Sequence, residues 1–187
     1  MPLIDFDPPE RFVTDTVGPP GQRVFFLQAV LGKRVMTVSL EKDQVRLLGE
    51  GVVQMLDQVA GDDGAAAAGA AAADDAPLST PIEEDFRVRR LSLAWDAERE
   101  VVVVEAHDSD AEDDDEEDDD AETSDPVVSG GPTAMEGLRV VLTPAHARAF
   151  ATRCARVVAG GRPSCPFCGG PLDATGHICP RANGYRR

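Results

Sequence analysis

Two acidic, low-complexity stretches without a single Lys or Arg interrupt the chain, and they limit how large a packed body it can form. Asp108 to Asp125 holds thirteen carboxylates and Gly61 to Ala76 holds four, with Ala65 to Ala73 broken once by Gly69. Such segments bury too little apolar surface to offset the entropy of ordering their backbone, so they read as disordered linkers. The chain of 187 residues carries 34 acids and 18 bases, a net charge of −16. With the seventeen linker acids set aside, 17 acids face 18 bases and the remainder is nearly neutral. The overall acidity therefore says little about what the folded part binds. About 130 residues outside the linkers suffice for one modest core or two small ones, which excludes a large multi-domain enzyme.

No apolar run reaches 18 residues, so no membrane span is expected. Met1-Pro2-Leu3-Ile4-Asp5 puts an acid where a secretory signal carries a basic segment. Four cysteines without such a signal point to the cytoplasm, where clustered cysteines ligate metal more often than they form structural disulfides.

Residues 1 to 10 hold three prolines and three acids, after which Arg11 to Val17 alternates as a short strand. Gln22 to Leu31 and Lys33 to Leu40 are β-branched and aromatic runs around Gly32, a hairpin pattern. From Glu41 the period changes. Val45, Leu48, Val52, Leu56 and Val59 recur every three or four residues, so 41–60 reads as an amphipathic helix. Gly49 and Gly51 each weaken it by roughly 1 kcal/mol relative to Ala, which points to close backbone packing there. Residues 61–80 read as linker. Phe86 to Trp95 and Arg99 to His107 form a second hairpin about Asp96-Ala97-Glu98, and Gly137 to Leu142 is a further strand. Thr143-Pro144 is an N-cap followed by a first-turn proline; it starts a helix with Ala147, Phe150, Cys154 and Val157 inward, ended by Gly160-Gly161.

The same order, strands and then a helix, occurs twice. A shift of 102 residues aligns Val38, Leu40 and Arg46 with Val140, Leu142 and Arg148, a weak internal repeat. The expected fold is α+β: two βββα halves, 11–60 and 84–160, share one antiparallel sheet covered by two helices. The second half carries the acidic insertion 108–135, and a zinc-ribbon-like tail, 161–187, follows. Two separate small domains are the alternative, each with a thin core.

Within the tail the chain reads Cys165-x2-Cys168-x8-His177-x-Cys179. A Cys-x2-Cys turn directs two thiolates at one metal, and the glycines after Cys168 let backbone N–H groups face the sulfurs. His177 and Cys179, two apart on an extended segment, point to one side. The four complete a closed tetrahedral Cys3His set for structural zinc, with no open position for a catalytic water. The competing reading is a redox dithiol at Cys165-Pro166-Phe167-Cys168. That chemistry needs the first cysteine at a helix N-terminus, and Gly-Gly-Pro opposes a helix.

Cys154 reads as a buried small thiol at the helix position matching Val52. His107 and His146 have no nucleophile partner and read as solvated or capping groups. No Walker loop, G-x-G-x-x-G, G-x-S-x-G or H-E-x-x-H motif is present. The leading expectation is a non-enzymatic binding or adaptor protein with an unidentified protein partner. Nucleic-acid binding is the alternative, because residues 139–187 hold eight arginines and one acid. A third reading is an enzyme using Asp85, Arg87, Trp95 and Asp96 in a pocket between the halves.

The segments Phe6-Asp7-Pro8-Pro9-Glu10-Arg11-Phe12, Gly21 to Ala29, Glu84-Asp85-Phe86-Arg87-Val88, Leu93-Ala94-Trp95-Asp96 and Gly176 to Arg186 together resemble an uncharacterised actinobacterial family labelled a domain of unknown function, sometimes called a repeat protein. The resemblance covers nearly all of the ordered chain. It implies a cytoplasmic bacterial protein, often encoded beside a histidine-phosphatase-like and a kinase-like protein, and it assigns no activity.

Overall fold

The computed structural model describes residues 3–64, 74–109, 137–162, 164–172 and 176–182. The Ala-rich run 65–73 and most of the acidic run lie outside the described residues. In chain order the elements are β1 (Leu3–Phe6), β2 (Arg11–Val17), β3 (Val24–Leu31), β4 (Arg34–Leu40), α1 (Lys42–Gly64), β5 (Phe86–Arg87), β6 (Arg90–Asp96), β7 (Val101–His107), β8 (Gly137–Leu142) and α2 (Pro144–Ala159). The class is α+β, as expected.

The single shared antiparallel sheet does not form. Among the described residues there are two four-stranded sheets, ordered β2-β3-β4-β5 and β1-β8-β7-β6. Each is an antiparallel three-stranded meander with a fourth strand parallel to its last member. β5 pairs with β4 through Val38↔Phe86, and β1 pairs with β8 through Phe6↔Val140. The physical reason is edge occupancy. The free edge of each meander's last strand takes a strand from just ahead of the other meander, so the two meanders cannot join there. A parallel neighbour requires a long crossover, which α1 and the segment after it supply between β4 and β5. β1 falls in the Pro-rich leader, where no strand was expected, and the run from Phe86 to Trp95 is two strands, β5 and β6.

The local signals explain the rest. Gly32, at φ +61°, makes the tight turn that puts Leu31 opposite Arg34. Thr143 caps α2, its hydroxyl accepting from the His146 backbone N–H, with Pro144 at the first helical position. The Gly160 N–H closes α2 on the Arg156 carbonyl at 3.0 Å.

One core joins both sheets and both helices, with Phe6, Leu27, Val38, Val45, Val52, Val102 and Val140 fully buried. Phe12 stacks on Phe150 of α2 at 4.5 Å between ring centroids. Val45, Leu48, Val52 and Leu56 of α1 are buried as the period predicts, whereas Val59 is exposed. The two helices meet at Gly49, where a Cβ would stand 2.7 Å from the Cys154 Cβ. At Gly51 a Cβ would come within 3.2 Å of Leu93. The glycines thus cost helix propensity and gain close approach, as the sequence indicates.

Residues 74–80, read from composition as the end of a linker, lie against the body. Leu78 packs with Val13 and Phe26 on the outer face of the first sheet. Gln28, fully buried, donates to the Ser79 carbonyl at 3.1 Å and accepts from the Ser79 N–H at 2.7 Å. A buried amide satisfied on both sides by one backbone residue fixes the path of that segment.

Candidate metal centre and basic cleft

The Cys165-x2-Cys168 turn is built by short-range bonds. The Gly169 N–H donates to the Cys165 carbonyl at 2.8 Å, and the Cys165 N–H donates to the Gly170 carbonyl at 2.7 Å. Gly169 adopts φ +74°, a conformation that other residues rarely take. The backbone N–H groups of Cys168 and Phe167 face the Cys165 sulfur, the first being the larger influence, and lower its thiol pKa. Cys168 receives the Gly170 N–H, which lowers its pKa, but burial and the neighbouring thiols of Cys165 and Cys179 raise it on balance.

All four sequence-predicted ligands come together. The ligand atoms of Cys165, Cys168, His177 and Cys179 lie within 4.8 Å of one another, and they can hold a metal ion. The Cys165 and Cys179 sulfurs are 3.8 Å apart, and the Cys168 sulfur is 3.2 Å from His177 Nε2. Two thiolates on one tetrahedral ion with bonds near 2.3 Å stand about 3.8 Å apart, so the donor set fits such an ion. No helix follows Cys165: residues 166–168 form a turn, and Ser164 bridges Pro171. The helix N-terminus required for a low-pKa redox cysteine is missing among the described residues. Cys154 is 1% exposed and apart from this cluster, and burial pushes its thiol up to about 12.

The basic segment is less available than its composition implies. Arg153 is 5% exposed and bonded to the Thr14 carbonyl, the Asp15 carboxylate and the carbonyls of Asp74 and Ala76. Arg156 pairs with Asp75, Arg148 with Asp57, and Arg139 with both Asp5 and Glu105. Asp74 also takes the Arg11 guanidinium, which holds its carboxyl below the usual value of 3.8. Arg186 and Arg187 lie outside the described residues.

The four residues of the third reading do not converge. Asp85 accepts from the Thr37 N–H and Asp96 from the Glu98 and Arg99 N–H groups, while Trp95 packs against the core. Only Arg87 borders a cleft. His146 lies in the first turn of α2, its backbone N–H capped by Thr143 and its Nδ1 3.1 Å from the same hydroxyl, while His107 is buried rather than solvated; Nε2 lies 3.8 Å from Glu105.

That cleft, of about 490 Å³, lies where α1 begins and α2 ends. Arg23, Lys42, Arg87 and Arg162 line it, with Glu41 and Glu84. Composition alone does not reveal it, because its cations come from four separate segments. A second, apolar groove runs between the outer faces of α1 and α2, lined by Val53, Ala151, Ala155 and Val158.

A family model described as "Protein of unknown function (DUF3090)" matches residues 4–179. No curated protein and no solved structure matches the chain.

Proposed function

The chain belongs to that DUF3090 family, and from this premise we propose that it is a non-enzymatic binding or adaptor protein whose tail is folded around a structural zinc ion. The observation that carries the reading is the closed donor set of Cys165, Cys168, His177 and Cys179. Four protein ligands leave a tetrahedral zinc no site for water or substrate, so the metal orders the tail and does no chemistry. Metal-binding free energy on the order of 10 kcal/mol is ample for a segment with so few apolar residues. In the same reading the chain comprises two βββα halves, 11–60 and 84–160, and works in the reducing cytoplasm with a protein partner.

Ion pairing supports this reading over nucleic-acid binding. Arg139, Arg148, Arg153 and Arg156, half of the arginines that motivate that alternative, already face carboxylates. Elemental analysis of the purified protein is expected to give about one zinc per chain, lost on Cys168→Ser or Cys179→Ser. Cobalt substitution is expected to give the intense visible absorption of a tetrahedral thiolate site. A metal-free protein with a reversible Cys165–Cys168 disulfide would replace the zinc reading with the redox one. Salt-sensitive, submicromolar binding of DNA or RNA by the intact chain would overturn the preference against nucleic acid.

A further inference from the structure

The cleft at the start of α1 collects four cations from the chain just before β3, from α1, from β5 and from the chain just after α2, and three of them lie close to the main chain. A Cβ at Gly21, whose φ is +96°, would lie 3.4 Å from the Arg162 guanidinium carbon. One at Gly160 would lie 3.3 Å from a terminal nitrogen of Arg23, and one at Gly161 3.5 Å from Lys42 Nζ. Three cationic heads thus lie close over glycine backbone. Like charges gathered in this way repel one another unless an anion offsets them.

The anions among the described residues are insufficient. Glu41 is paired with Arg87, and Glu84 accepts from the Ser39 hydroxyl at 2.6 Å. Arg23 and Lys42 have no hydrogen bond or ion pair among the described residues. The simplest structural role for them is to bond the last carbonyls of α2, and neither does so. Among the described residues lining the cleft, two carboxylates stand with four cations, a local excess of two positive charges.

We propose that this cleft binds a small organic phosphomonoester, its phosphate between Arg23 and Lys42 and its apolar body against Val24, Phe25, Leu40 and Val158. A phosphomonoester carries close to two negative charges at neutral pH, which matches the deficit; a single carboxylate matches half of it. Arginine presents paired donors suited to phosphate oxygens, and lysine adds a point charge. The volume lies within the few hundred Å³ usual for small-molecule sites. The proposal rests on the reading of the chain as a binding protein and adds the class of ligand.

Titrating the full-length, zinc-loaded chain with phenyl phosphate at fixed ionic strength, by calorimetry and by thermal shift, tests it. Saturable one-to-one binding is expected, weakened at least tenfold by Arg23→Gln and by Lys42→Gln and unchanged by Arg46→Gln, which lies elsewhere on α1. Benzoate should bind at least tenfold more weakly than phenyl phosphate. Because Arg23 and Lys42 hold no bond among the described residues and repel their neighbours, neither variant should melt below the wild-type temperature in the absence of phosphate. No saturable binding up to about 10 mM, equal binding by the variants, or equal affinity for benzoate would each overturn the proposal. Zinc content measured on the same samples separates its failure from failure of the metal reading.

Discussion

Two single residues carry opposite protonation consequences. Cys154 is a thiol kept neutral by burial, so under native conditions it should resist iodoacetamide while urea-unfolded protein reacts readily. Mass spectrometry of the alkylated peptides checks this. Asp7 is a carboxylate kept charged: Arg99 donates to both its oxygens at 2.7 and 2.8 Å and holds its pKa below 3.8, tying the turn after β1 to the β6–β7 hairpin. A depressed folded pKa contributes stability above the unfolded value and loses it as pH falls through the folded one. The pair is largely exposed, so solvent screens it and its worth is small. Asp7→Asn should lower stability at pH 7 and by progressively less as the pH falls below 3.8, in chemical denaturation across that range.

Among elements, the contact of α1 with α2 depends on a missing side chain. Gly49→Ala raises helix propensity by about 1 kcal/mol yet sets a methyl within 2.7 Å of Cys154, an overlap costing about 1–3 kcal/mol. A net loss of stability is expected, and pairing it with Cys154→Ala should recover little of it, because alanine keeps the Cβ that the new methyl meets; urea midpoints of the two variants decide. The helices, the meander strands and this glycine were legible in the sequence because each follows from a local period or a local cost. β1 and β5 were not: four and two residues long, they are strands only because β8 and β4 offer an open edge far along the chain. The cysteine and histidine cluster was legible since ligand spacing is itself local. The basic cleft was hidden because its four cations become neighbours only in the fold. Arg153 misled for the same reason, since sequence gives its charge but not the carbonyls of Thr14, Asp74 and Ala76 that enclose it.

For the whole molecule, one core spanning both sheets implies one unfolding transition. Phe6 on β1 is fully buried beside β8, so Phe6→Ala should cost about 3–5 kcal/mol and lower the stability of both sheets together. Fluorescence of Trp95 and far-ultraviolet dichroism should give coincident denaturation curves; separate midpoints would mean two independently folding units. The placement of β1 also orders events during synthesis. Its partners at Gly137–Val140 leave the ribosome more than a hundred residues after it does, so the first strand made waits for one of the last. Until then Phe6 lacks the strand that covers it, and completion of the sheet waits on closing that long loop.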